Sequence, residues 1–587
     1  MSASSYCGRM ALGFVLSLTA SVAIAAPKWL KLESPNVVIY SDASTKDVVE
    51  YAVGYAAFRA AFQQVLAPPV RVPRPTVLLF RDRDKLQEKL PKPGDGKQTL
   101  TFSAPIDGAI LIGMSVEGDR SEALAQTYQF ETIFGLQRCG YNAPLWMAQG
   151  AGEVLESMEL EKGKYEIGDS GAYAWPADTV PWPRFFEINS GSPEYSGPKA
   201  RGDYHRQAWA LMHRVLLGGG SSSQNFARLA QLVAEKGPLA GTEAYFGIPA
   251  DGFKKDIKAH LSKHVRQSYP FDADALRKTL TPVPAPEVEV DVQLSNLLFA
   301  AGKENEGELE LGRAGYIAAD SIAVKEARAR RALRHSDWLE GAELYRAAIA
   351  LGSNNPIAYL RSAQERLGIR PGSRIQAGGA GELANTAIEE IHHALQLDPG
   401  NPEAYALLGK ALYLAPEMHD ADIDELSRGV AAGAVGAAVR YSRALVYSRQ
   451  EKTAEAIADL RAILAEPYAD PALKDVAAQM MIDVAFRPVA KEVEALVRDE
   501  KFTEAKGQIA DARRDQTNPT VIARLDDLEK WLDEQTAWAG VVKATEAGDE
   551  PLAGERAKSF LEKFPRSRAA GEAKRLVHNA EQAAAAK

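Results

Sequence analysis

Hydrophobic residues are spaced in two different ways along this chain, and the change from one to the other divides it. Up to about residue 270, short β-branched runs alternate with longer stretches whose apolar residues recur at helical spacing. WLKLESPNVVIYSD (29–42) predicts strand, and KDVVEYAVGYAAFRAAFQQVL (46–66) predicts helix. PTVLLFRDRDKLQEKL predicts a buried strand and then a helix. LTFSAPIDGAILIGMS (100–115) predicts two strands about the turn residues Pro105 to Gly108. Helices are predicted next over 123–134, 150–161 and 204–217. Strands first and helices after indicate an α+β layer fold.

TPVPAPEVE (281–289) is stiff and proline-rich, and predicts a linker over 276–290. Beyond it the pattern is helical almost throughout, and it repeats. WLEGAELYRAAIALGSNNP (338–356), TAIEEIHHALQLDPGNP (386–402) and TAEAIADLRAILAEP (453–467) are one helix written three times. Gly341, Ala387 and Ala456 stand at its small position. Tyr345, Ile391 and Leu460 follow a turn later, and Ala348, Ala394 and Ile463 a turn after that. The partner helix shows as Tyr405, Leu408, Gly409 and Leu412, and again as Ala444 and Tyr447.

This pattern resembles the tetratricopeptide repeat, in which small residues let paired helices cross closely and a proline ends each unit. Ala387 and Ala456 lie about two 34-residue periods apart, with room for a degenerate unit around Ala421. The Gly-rich RPGSRIQAGGAGE (370–382) accounts for the longer gap before Ala387. The resemblance implies an all-α solenoid over 291–485, further helical repeats over 486–587, and a surface that binds another protein or a peptide. Counting from the Leu408-Gly409 crossing places Glu403, Ala406, Lys410 and Tyr413 on the outward face. The same count from Ala444 adds Tyr441, Leu445 and Ser448, and the seven form a candidate peptide groove.

Composition narrows the classes. The chain has 587 residues, enough for several domains, with 46% hydrophobic and 25% charged residues. Its net charge of −9 offers no basic stripe for nucleic acid. Arg9, the apolar run 11–22 and Ala23-Ile24-Ala25 read as a cleaved secretory signal over 1–25, which places the protein in the periplasm. No later run is apolar enough to span a bilayer. Removal of Cys7 with the signal leaves Cys139 alone, so no intramolecular disulfide is expected.

Candidate chemistry centres on APLWMAQGAGEVLESMELEKGKYEIG (143–168). Together with the 100–115 hairpin, the 123–134 helix and DYHRQAWALMHRVLL, it resembles the peptidase MA-like branch of the gluzincins. That resemblance implies a zincin-like domain over 26–275 and a zinc site of the H-E-x-x-H type. There the i, i+4 histidines share one helix face, the glutamate acts as base, and a glutamate on the next helix is the third ligand. This sequence departs at every one of those positions. Gln126 and Phe130 replace the histidines, Thr127 replaces the base and Gln149 replaces the third ligand. A register one turn later keeps Glu131 but sets phenylalanine at both histidine positions, and the first histidine of the chain is His205. A neutral amide is a poor zinc ligand, and a phenyl ring is none at all.

The remaining motifs read as bland. His260 and His264 are i, i+4 on a helix, but no glutamate follows His260, and a solvated face is expected. Glu153, Glu156 and Glu159 read as solvated charge, Arg201-Gly202-Asp203 as a turn, and His392-His393 as surface. Asp169-Ser170-Gly171 has no base histidine upstream. The expectation is therefore an exported, non-catalytic binding or scaffold protein that needs no cofactor. Its rivals are a hydrolase that uses Glu131 or Glu153 with His205, and a purely structural envelope component. Purified protein is expected to carry no stoichiometric zinc by elemental analysis. Excess chelator is expected to leave its melting temperature unchanged, because loss of a native-state ligand would lower it.

Overall fold

The β-branched runs at the start of the chain pair as β1 (Leu30–Glu33), β2 (Val38–Ser41) and β3 (Thr76–Phe80). The computed structural model describes residues 29–68, 72–91, 101–117, 120–138, 143–168, 179–196, 198–369, 381–431, 436–466, 469–514 and 516–585. Residues 1–25, expected to be a secretory signal, Cys139, Asp169-Ser170-Gly171 and residues 370–380 of the Gly-rich insert lie outside the described residues. The predicted hairpin forms as β4 (Thr101–Ile106) and β5 (Ala109–Ser115). Its turn is only Asp107-Gly108, both at positive φ (46° and 71°), the geometry of a tight two-residue hairpin. Pro105 therefore stays within the strand and pairs with Ile110. A proline is tolerated there because β4 lies at the sheet edge.

Six strands run in the order β4-β5-β3-β2-β1-β9, the last being Val283–Pro284. The inner strands β2, β3 and β5 are parallel, and the outer pairings are antiparallel. Parallel strands need both faces covered. The helix Thr45–Leu66, capped by the Ser44 side chain, lays Val48, Tyr51, Tyr55, Phe58 and Phe62 into the core on one face. The other face explains why 276–290 is not a free linker. Val283-Pro284 form β9 against β1, and the helix Glu287–Ala300 presses Val290, Leu294 and Leu297 onto Tyr40, Leu78, Phe80 and Leu111. Gly113 is small enough for Leu297 to reach the sheet, and Tyr40 donates a 2.6 Å hydrogen bond to Glu289.

The helix predicted over 150–161 instead spans Leu145–Glu156. The next residues turn into β6 (Glu159–Glu161) and β7 (Lys164–Ile167), which pair with each other, and β7 also pairs with β8 (Gln267–Pro270) in a small antiparallel sheet. The 145–156 helix crosses Pro198–Leu217 at Gly150. A β-carbon there would stand 2.7 Å from Met212 Cγ and closer still to the Ala208 carbonyl oxygen. Arg201-Gly202-Asp203 belongs to this second helix and is not a turn.

Beyond β9 the described residues form helices and no strand, and successive helices pack against one another. The repeated small positions are contact points. Gly341 abuts Leu333, Gly409 abuts Ser442, and Ala387 and Ala456 are fully buried. The division expected at 485/486 falls inside the helix Pro471–Arg498, which contains Pro488. No helix among the described residues is long and apolar enough to cross a membrane.

Two glycine substitutions test this packing. Gly150→Ala is expected to cost about 2 kcal/mol in thermal or urea unfolding, since its methyl group would overlap backbone. Gly312→Ala meets open space and is expected to stabilise its helix by about 0.5–1 kcal/mol.

Candidate functional site

Three helices, Arg120–Arg138, Leu145–Glu156 and Pro198–Leu217, pack on one another and carry most of the expected site residues. The close crossing at Gly150 brings Gln149 and Glu153, one turn apart, against His205. His205 Nδ1 lies 2.7 Å from Glu153 Oε1, and Gln149 Nε2 donates to the same oxygen at 2.8 Å. Gln129 Nε2 reaches it at 3.3 Å from the third helix. Tyr195 donates to Gln149 Oε1 at 3.4 Å and stacks on the His205 ring, with centroids 5.5 Å apart. Glu153 is only 1% exposed, so it is not the solvated charge expected. Burial pushes its carboxyl above the usual range, against the pull of His205 and Gln149.

Of the four expected positions only Gln149 joins this cluster. Gln126 accepts a 3.3 Å hydrogen bond from Thr101 on the edge strand β4. Thr127 is buried and donates to its own helix at Ala123 O. Phe130 is half-buried against the core, and buried Trp146 packs on Phe185 and Phe186. Gln129 and Tyr195 were not singled out in the sequence. Gln129 stands one turn after Gln126, which is a usable signal, whereas nothing local marks Tyr195.

Chemically, the cluster is a carboxylate–imidazole pair held by amides. With Nδ1–H donating to Glu153, His205 keeps Nε2 as its acceptor nitrogen. That atom, Glu153 Oε2 and the Tyr204 hydroxyl are enclosed without a hydrogen-bond partner among the described residues. One imidazole, one carboxylate and neutral amides are a poor donor set for zinc. Among the described residues no three histidine, cysteine, aspartate or glutamate side chains gather around a point. Glu131 lies apart from this pair. It is buried beside Arg59, with Nε at 3.5 Å, and burial outweighs that cation and pushes its carboxyl up to about 7.

His260 is not on a solvated face. It is 6% exposed, and its Nε2 lies 2.8 Å from Nδ1 of fully buried His213, one ring donating to the other. The helix Phe253–Leu261 turns His260 inward, while His264 falls beyond its end. Burial lowers the pKa of both rings, and that of His260 falls to about 4.

The seven residues expected to form a groove do not make an open surface. Glu403 is taken by Arg361, and Leu445 and Ser448 are buried. Tyr413 and Tyr441 pack half-buried against the cluster holding Ala444 and Leu460. Ala406 and Lys410 are half-buried, the former giving its carbonyl to Ser442. Glu403, Ala406, Lys410 and Tyr413 share the less buried face of the helix Pro402–Leu414, whose other face buries Leu407, Leu408, Ala411 and Leu412. His392 is likewise half-buried, with its Nε2 3.3 Å from Asp422 and 3.2 Å from Glu425.

A wide cleft of about 1250 Å³ lies elsewhere, between the ends of the sheet strands and the first helices that follow. At its base the hairpin turn enters the helices. Asp107 accepts from Arg330 at 2.5 Å, from Asn355 at 3.1 Å and from Tyr345 at 3.4 Å. No protein-family model matches the chain, and no curated protein matches it.

The His213–His260 pair sets a pH dependence. Both folded-state values lie below the unfolded value of about 6.5, so folding favours the neutral rings. Their stabilisation is present above pH ~6.5 and is lost as pH falls toward about 4. His260→Gln is expected to flatten the fall in melting temperature across that window. An unchanged slope would mean that other groups carry it.

Proposed function

We propose that this is an exported, non-catalytic binding protein. In this reading a zincin-like domain that has lost its metal chemistry is joined to a solenoid of tetratricopeptide type, and the whole holds an extended protein chain without cutting it. The observation that carries the reading is the closed cluster at Gln149. The nearby carboxylate of Glu153 is engaged by Gln149, Gln129 and His205, and neutral amides stand where metal ligands are needed. The edge strand β4 supports it as well, because among the described residues it pairs with β5 on one side only and can accept an added strand on the other. The mixed sheet with its covering helices suits a zincin-like layer. The buried small positions Gly341, Ala387, Gly409 and Ala456 suit stacked helical repeats.

One observation favours a second reading as a hydrolase: Glu153 orients His205 and leaves Nε2 unpartnered, as in a general-base pair. Incubation with reduced, carboxymethylated casein separates the two. The binding reading expects the unfolded chain to co-elute with the protein and stay intact for hours, with His205→Ala unchanged. Cleavage abolished by His205→Ala would establish the hydrolase, and no association would remove the binding function.

A further inference from the structure

We propose that a pocket beside the helix Thr45–Leu66 binds a small apolar monocarboxylate, and that a proton on Glu131 admits it. The pocket has a volume of about 510 Å³, a size that a compact organic molecule fills. Buried Phe62 and half-buried Phe271 and Leu276 give it an apolar lining, and Asn36 and Gln63 add amides. Among the described residues Arg59 is the one charged side chain in that lining. The site shares no residue with the cluster at Gln149 or with β4.

Arg59 stands between the pocket and a carboxylate behind it. Its Nη1 donates to Val72 O at 3.0 Å and its Nη2 to Pro73 O at 2.5 Å, which fixes the guanidinium in the wall. Its Nε lies 3.5 Å from Glu131 without a hydrogen bond, and both buried Glu131 oxygens lack a hydrogen-bond partner among the described residues. A buried carboxylate held so loosely is costly, and a proton removes the cost. Burial pushes the Glu131 carboxyl up to about 7, so its charge comes and goes near neutral pH. Tyr55 and Arg59 face it from the helix Thr45–Leu66, and Tyr128 of its own helix stands against Tyr55. Glu153 on the neighbouring helix turns to His205 instead.

The ligand class follows from this switch. Ionised Glu131 cancels the cation in the wall, whereas neutral Glu131 leaves Arg59 uncompensated there. Carboxylates nearer the rim are engaged elsewhere: Asp272 caps the helix Ala273–Thr279, and Asp274 and Glu50 share Arg277. A guanidinium has five N–H groups. The two carbonyls and the Glu131 side take three, which leaves one on each terminal nitrogen for the two oxygens of a carboxylate. The apolar lining suits a hydrocarbon body and disfavours a sugar or a second charge, whose polar groups would go unpaired.

Calorimetric titration of the full chain with naphthoate and with neutral naphthamide, at pH ~6 and pH ~8, tests the proposal. Naphthoate is charged at both, yet its affinity is expected to fall about tenfold on going to the higher pH, as the neutral fraction of Glu131 falls by about that factor. Naphthamide is expected to bind about tenfold more weakly than naphthoate at pH ~6 and to show no pH dependence. Glu131→Gln is expected to bind naphthoate at pH ~8 as tightly as the parent does at pH ~6. Ala60 lines the pocket from a half-exposed position, so Ala60→Leu is expected to fill it and weaken both probes with the melting temperature kept. Equal binding of the two probes, or a pH dependence that survives Glu131→Gln, overturns the proposal. So does naphthoate binding undisturbed by Ala60→Leu, or no binding at all. The probe comparison and Ala60→Leu decide the matter even where Glu131→Gln fails to fold.

Discussion

The arrangement around Glu153 depends on how closely backbones approach one short helix. The 145–156 helix runs between two others, and it carries a glycine toward each. Gly150 meets the carbonyl of Ala208, and Gly152 meets the carbonyl of Gln129. Glycine within a helix costs about 1 kcal/mol relative to alanine. The burial of Trp146, Met147, Val154 and Leu155 offsets that cost. Only at this separation can Gln149 and Glu153 span to His205 on one side and Gln129 on the other. The polar cluster is thus a product of backbone proximity, and larger residues at either glycine would part its members.

Much of the fold was legible because its signals are local. The β-branched runs mark the regions of β1 to β5, although 29–42 reads as one strand and folds as two, and the 3.6-residue spacing marks the long helices. Gly409, read as a tight crossing, does stand against Ser442. What could not be read depends on partners distant in sequence. β9 is two residues within a proline-rich stretch, and only the exposed edge of β1 makes it a strand. β6 carries charge that mimics a continuing helix, and its pairing with β7, itself held by β8, fixes it as a strand. The site divides in the same way. Gln149 was marked by its motif, while Glu153 and His260 were assigned to solvent because isolated charges and imidazoles usually lie there. Their burial follows from helices that the sequence could place but not orient.

The two halves of the chain are not separable bodies joined by a tether. The helix Glu287–Ala300 belongs by position to the helical array and by packing to the sheet. On the far side of that helix, Val292 and Phe299 start the next apolar cluster, shared with Leu311 and Ala327. Asp107, at the tip of the β4–β5 hairpin, returns the connection by reaching Arg330, Tyr345 and Asn355. A displacement of the edge strand β4 is therefore felt directly by the first helices of the array. The reverse also holds, since buried charge tolerates little loss of its partner.

β9 has a consequence for the order of events during synthesis. Its partner β1 is made about 250 residues earlier, so the sheet stays open at that edge until the connector has emerged. Through that interval β1 offers unpaired backbone groups, and the second face of the sheet is bare of the 287–300 helix. A nascent chain paused before this point holds a sticky, half-covered sheet, while one that has passed it can close both edge and face together. The late strand acts as a latch, so any delay before residue 283 becomes available lengthens the period of greatest aggregation hazard.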